Sequence, residues 1–122
     1  MTHGLSVFQI VLLIAYALGM AAGQLLFKTA ALQFSGNAPM STRLLGLALD
    51  PAFLGAIVLY GALSVLWVWV LSFTPLSRAY PFVAIAFALT PMLGALVFAE
   101  PLSARVVIGL AVIVAGLFLV AG

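Results

Sequence analysis

The sequence is poor in charge and contains no cysteine. Of its 122 residues, four are lysine or arginine, two are aspartate or glutamate, and one is histidine. The absence of cysteine excludes disulfides and thiol chemistry, and a single histidine, His3, cannot assemble a metal site. Four basic residues are also too few for a nucleic-acid interface. We therefore expect no metal, no cofactor and no nucleic-acid partner.

Apolar side chains, in contrast, are abundant. Hydrophobic residues make up 67% of the chain, and the mean hydropathy of +1.42 is far above that of soluble domains. A helix needs about 20 apolar residues to cross a hydrocarbon core of about 30 Å. Four runs meet this requirement, at 5–32, 52–73, 79–99 and 104–121. The sequence thus predicts a single domain over 1–122, an all-α membrane protein with four transmembrane helices.

Polar residues followed by proline mark the starts of the last three spans. Asp50 precedes Pro51, where we expect a cap and a first helical residue, and "TPLSRAYP" and "EPLSAR" repeat the arrangement. No positively charged stretch precedes the first span, so we expect a membrane helix there and not a signal peptide. The basic residues lie slightly more around the first and third loops, which favours a cytoplasmic position for those loops. With so few charges, dual insertion stays open.

Small residues indicate where helices meet closely. Gly19 and Gly23 frame "GMAAG" in the first span, and Gly109 and Gly116 lie on one face of the fourth. Such glycines let helix backbones approach each other in lipid, either within one chain or between subunits. Because four helices make a narrow bundle with little room for a solute path, we expect a dimer.

The first span ends with two polar side chains one helical turn apart. Gln24 and Lys28 lie on one face of the predicted helix. Lys28 is close enough to a membrane boundary to extend to the headgroups. Alternatively, the two side chains hold an anionic group inside the bundle, since ionisable residues within membrane spans commonly serve function.

Further polar residues lie at the boundaries of the third and fourth spans. Arg78 can anchor the chain to lipid phosphate or bind a transported phosphate. Tyr80 can bind a sugar or belong to an aromatic belt. Glu100 is expected to be a boundary residue close to Arg105, with which an exposed ion pair would contribute little. Pro91 interrupts the hydrogen bonding of the third span and is either a hinge or a simple bend.

The ionisable groups favour an anionic ligand. None of the four spans has an aspartate or glutamate at its centre, which argues against proton-driven export of cations. No nucleophile, base and oxyanion-binding arrangement is visible, so we expect no enzyme and no catalytic residue.

The motifs "GQLLFK", "LSRAYP" and "AEPLSARVVIGLAVIVAGLFL" resemble those of the small members of the drug/metabolite transporter superfamily, and the resemblance covers nearly the whole chain. It implies a bundle like that of the small multidrug resistance proteins. Those proteins carry a glutamate in the middle of the first helix, and the equivalent position here is Met20. The drug and proton site of that group is therefore missing.

The sequence is most similar to subunits of the 4-amino-4-deoxy-L-arabinose-phosphoundecaprenol flippase. The matching positions are Gly23, Gln24 and Lys28, Ala79 to Pro81, and Glu100 with Pro101. They leave open which of the two subunit types this is. The resemblance implies transport of an undecaprenyl-phosphate-linked amino sugar across the bacterial inner membrane, by a homodimer or a heterodimer with a similar four-span subunit.

The resemblance also suggests roles for the candidate substrate-binding residues. Lys28 and Arg78 would meet the phosphate, and Glu100 would meet the sugar amine, with Gln24 and Tyr80 beside them. Two alternatives stay open: a small multidrug-type exporter with an atypical coupling site, and a membrane accessory protein that transports nothing.

Overall fold

The computed structural model describes residues 5–121, and all of its regular structure is helical within that range. His3 and the outermost positions of the predicted domain lie outside the described residues. The elements are α1 (Val7–Phe34), α2 (Met40–Leu49), α3 (Pro51–Leu71), α4 (Leu76–Ala79), a 3₁₀ turn (Tyr80–Phe82), α5 (Val83–Phe98) and α6 (Ala104–Ala121).

Three helical segments are long and apolar enough to cross a membrane. They are α1, α3, and the segment Leu76–Phe98 that α4, the 3₁₀ turn and α5 form together. The fourth apolar helix, α6, has 18 residues and is about 27 Å long at 1.5 Å per residue. The structure thus confirms the all-helical fold and gives three helical segments with the length and composition of membrane spans.

The helix starts agree with the sequence analysis in part. Pro51 is the first residue of α3, and Asp50 occupies the cap position, but its side chain makes no capping hydrogen bond. The third span begins at Leu76, three residues earlier than predicted. The fourth begins at Ala104 as predicted, yet Pro101 lies outside its first turn. Ser103 caps this helix instead, because its Oγ accepts a hydrogen bond from the Val106 amide at 3.2 Å.

The centre of the bundle is α1, which packs against α3 on one side and α5 on another. Small side chains make these contacts close, and Ala17 and Ala21 are fully buried. At the end of the bundle where α1 begins, Gln9 completes a capping box with Ser6. Gln9 also donates to the Phe73 carbonyl and the Thr74 hydroxyl. These bonds tie the start of α1 to the loop between α3 and α4.

In contrast, α6 lies at the edge of the bundle. It contacts α5 and the 3₁₀ turn, and nearly every one of its described side chains is exposed. A helix this apolar requires lipid or another protein around it.

Candidate functional site

The predicted site residues lie at two opposite ends of the bundle. Lys28, near the end of α1, and Glu100, between α5 and α6, lie at one end. Arg78 lies at the other end, in a cleft of about 230 Å³ that it shares with Ile10 and Val120. Since Ile10 and Lys28 are 18 positions apart on α1, the two ends are separated by about 27 Å. Lys28 and Arg78 therefore cannot hold one phosphate at the same time.

Lys28 and Glu100 form an ion pair. The Lys28 Nζ atom lies 3.0 Å from Glu100 Oε2, and the two side chains are 41% and 46% exposed. Glu100 was predicted to lie close to Arg105, but its carboxylate faces Lys28 of α1 instead. An ion pair this exposed contributes at most about 1 kcal/mol to stability. It can open at low cost.

Two features of α5 direct Glu100 towards Lys28. Ala99 ends the helix in the left-handed conformation, with φ of 54°, which turns the chain back across the bundle. Gly94 then leaves space for the carboxylate, since a Cβ atom at that position would lie 2.9 Å from Glu100 Oε1. A side chain at Gly94 would displace Glu100.

One turn further into α1, Gln24 is held by a tyrosine of α3. Its Nε2 atom donates to the Tyr60 hydroxyl at 2.8 Å, and that hydroxyl donates to the Met20 carbonyl at 2.9 Å. The Tyr60 ring stacks on Phe27, with centroids 5.3 Å apart. Tyr60 was not among the predicted site residues, although a hydroxyl inside an apolar span requires a hydrogen-bond partner and is therefore a detectable signal in the sequence.

A groove of about 350 Å³ runs between α1 and α5 beside Gln24. Its lining residues are Met20, Gln24, Ala86, Phe87, Thr90 and Pro91. Because Pro91 has no amide hydrogen, the Phe87 carbonyl lacks its usual partner within the helix. α5 nevertheless continues through Pro91 as one helix. Most of the residues that line the groove are apolar. The polar side chains in its wall are the Gln24 amide and the Thr90 hydroxyl.

At the opposite end, Tyr80 belongs to an aromatic cluster. Its ring meets the edge of Trp67 at a centroid distance of 6.4 Å, and Trp67 stacks on Tyr16 at 4.8 Å. Tyr80 is 56% exposed. This environment is typical of an aromatic belt residue. Tyr80 therefore lies at the end of the bundle opposite Lys28.

The four predicted packing glycines fall into two pairs. Gly19 and Gly23 face α3 of the same chain, where an added Cβ would collide with Leu63 and with the Tyr60 ring, respectively. An added Cβ at Gly109 or Gly116 would meet nothing within 4 Å. The first pair brings α1 and α3 together, whereas the second pair leaves an open surface on α6.

One relative of the chain is the probable 4-amino-4-deoxy-L-arabinose-phosphoundecaprenol flippase subunit ArnE of Sodalis glossinidius (strain morsitans). The two are 37% identical over 95 residues, which cover 78% of this chain and 80% of the relative. No family model matches the chain, and no solved structure matches it. The similarity to ArnE confirms the resemblance drawn from the sequence motifs.

Proposed function

This chain belongs to the ArnE-related, drug/metabolite transporter-like family of flippase subunits, and from that membership we propose that it moves an undecaprenyl-phosphate-linked amino sugar across the bacterial inner membrane. The substrate, by analogy with the name of the relative, is 4-amino-4-deoxy-L-arabinose-phosphoundecaprenol or a lipid of the same chemistry. The observation that supports this proposal most directly is the Lys28–Glu100 ion pair, which lies one helical turn along α1 from Gln24, a lining residue of the groove between α1 and α5.

The headgroup of such a lipid carries a phosphate and an ammonium group, which match the two charges of the pair. On binding, the phosphate takes Lys28 and the ammonium takes Glu100, so all four charges keep a partner. The internal pair contributes only roughly 0.2–1 kcal/mol because it is exposed. A ligand with both charges therefore displaces it at low cost and gives each side chain a new partner.

The groove provides a place for the sugar and an exit for the lipid tail. Gln24 and Thr90 offer hydrogen-bonding groups to sugar hydroxyls. The apolar wall suits the polyprenyl chain, which stays in the bilayer. Arg78, about 27 Å away along α1, offers a second cation for the phosphate at the opposite membrane surface.

The proposed assembly has four membrane spans per chain and two chains. α6 is the fourth span, since 17 residues suffice at the lower limit of spanning lengths. Its exposed face with Gly109 and Gly116 packs against a second copy or a similar four-span subunit.

Reconstitution into liposomes tests the function. Lipid-linked amino sugar is placed in the bilayer, and a membrane-impermeant amine reagent then measures the fraction exposed on the outside over time. We expect the protein to accelerate the movement, and Lys28→Ala to abolish it. Arg105→Ala removes an exposed charge outside the groove and is the matched control.

Two outcomes would contradict the proposal. Movement of quaternary ammonium drugs against a proton gradient, with no movement of the lipid, would identify a multidrug-type exporter. Equal lipid movement by the native protein and by Lys28→Ala would show that Lys28 does not bind the lipid headgroup. The assay is run with the chain alone and with a similar four-span subunit added, because a heterodimer subunit would have no activity of its own. No lipid movement in either preparation would favour an accessory protein that transports nothing.

A further inference from the structure

A second polar pocket lies where α1 ends, α2 runs and α3 begins. Its volume is about 240 Å³, and its polar lining residues are Gln33, Thr42, Arg43 and Asp50. None of its lining residues belongs to the Lys28–Glu100 pair or to the groove beside Gln24. Gln33 lies five positions beyond Lys28, about 140° further around the helix, so the pocket opens on a different side of α1.

This pocket contains one buried carboxylate, Asp50, and a half-buried guanidinium, Arg43, each with a buried atom that makes no hydrogen bond. Asp50 is only 6% exposed, and its Oδ2 atom accepts no hydrogen bond. The Nε atom of Arg43 is also buried and donates to no acceptor. The Arg43 guanidinium lies 5.1 Å from the centre of the Phe34 ring, which stabilises the cation. Buried polar atoms without hydrogen-bond partners are costly, and a ligand with complementary charges would offset that cost.

We infer that this pocket binds the headgroup of a bilayer aminophospholipid, with the phosphate on Arg43 and the primary ammonium on Asp50. A purely anionic headgroup would be repelled by Asp50, and a purely cationic one by Arg43. A headgroup with both charges satisfies both side chains. The ammonium must carry hydrogens, because the Asp50 carboxylate is a hydrogen-bond acceptor.

The position and size of the pocket agree with this ligand. It lies at the ends of two membrane helices, α1 and α3, where headgroups are found. Leu44, Leu45 and Leu49 of α2 are each more than half exposed beside it and can contact the acyl chains. A volume of about 240 Å³ is below the roughly 300–1,000 Å³ of pockets for drug-sized ligands. This favours a small phosphoethanolamine group over a phosphorylated sugar.

Native mass spectrometry of the purified protein from defined lipid nanodiscs tests the inference. The nanodiscs contain phosphatidylethanolamine, phosphatidylcholine or phosphatidylglycerol with the same acyl chains. We expect selective retention of phosphatidylethanolamine, since the trimethylated ammonium of phosphatidylcholine cannot donate to Asp50 and phosphatidylglycerol has no ammonium. Asp50→Asn and Arg43→Gln should each lower this retention about tenfold or more, and Arg105→Gln should leave it unchanged.

Equal retention of the three lipids by the native protein would overturn the inference. That comparison needs no variant, so it is informative even if Asp50→Asn does not fold. Retention of lipid-linked amino sugar in place of phosphatidylethanolamine by the native protein, lost in Asp50→Asn, would also overturn it, by showing that the pocket holds the transported lipid. The inference does not depend on the proposed transport function, because Lys28→Ala should retain phosphatidylethanolamine normally.

Discussion

Replacement of Gly23 by alanine should destabilise the protein through one tyrosine. The added methyl group would collide with the Tyr60 ring. This ring cannot simply rotate away, because its hydroxyl is bonded to Gln24 and to the Met20 carbonyl and its face stacks on Phe27. Either the ring moves and these interactions are lost, or α1 and α3 separate.

The size of the effect follows from those interactions. Two hydrogen bonds contribute roughly 1 kcal/mol each, and an aromatic pair adds about 0.5–1.5 kcal/mol. Alanine gains up to about 1 kcal/mol over glycine within a helix. Gly61→Ala on α3 is the matched control, since its methyl group would meet nothing within 4 Å. Because the helix term is shared, Gly23→Ala should be less stable than Gly61→Ala by about 2.5–3.5 kcal/mol.

Thermal unfolding in detergent, followed by tryptophan fluorescence, measures the difference. We expect the midpoint of Gly23→Ala to fall below that of the native protein, and the midpoint of Gly61→Ala to equal or exceed it. If the two variants unfold at the same temperature, the close contact between α1 and α3 at Gly23 is not as described.

Three further predictions concern neighbouring contacts. Tyr60→Phe removes the hydroxyl between Gln24 and Met20 and should cost about 1–2 kcal/mol of stability, whereas Tyr80→Phe should not; equal thermal midpoints would argue against the Gln24 contact. Gly94→Ala should push Glu100 away and speed acetylation of Lys28, the only lysine of the chain, as followed by mass spectrometry; an unchanged rate would mean that the carboxylate does not occupy that space. Gly109→Leu should weaken subunit association, measured by chemical cross-linking, without lowering the thermal midpoint. Undiminished cross-linking would exclude this face of α6 from the interface.

The four long helices could be predicted from the sequence because their signals are local, whereas the short helix α2 was not among the predicted runs. Apolar length fixed the four predicted runs, and the Asp50–Pro51 pair marked the start of α3 correctly. The start of the third span was less accurate, because "LSRA" is polar enough to resemble a loop, whereas α4 continues into α5 through a 3₁₀ turn. The start of α6 was predicted from the Glu100–Pro101 pair, whereas Ser103 forms the cap.

The ion pair could not be predicted because it depends on contacts between distant segments. Lys28 and Glu100 are 72 positions apart, and their meeting requires the left-handed residue Ala99 and the space above Gly94. Residue types alone indicated a cation and an anion near the membrane boundary. They did not show that the two groups pair with each other.

Tyr60 and Arg78 also show that membership of the site depends on how the helices pack. The contact of Tyr60 with Gln24 results from the packing of α3 on α1, which periodicity alone does not determine. Arg78 was grouped with Lys28 by chemistry, and the length of α1 separates them. Asp50 was expected to cap a helix, and its carboxylate faces a pocket instead.

The central claim is that Glu100 recognises the ammonium group of a headgroup whose phosphate lies on Lys28. Binding of lipid-linked amino sugar and of its N-acetylated counterpart, measured on the native protein and on Glu100→Gln in nanodiscs, tests this most directly. The native protein should prefer the free amine by about tenfold or more, and Glu100→Gln should bind both lipids alike. An undiminished preference for the free amine in Glu100→Gln would contradict the account.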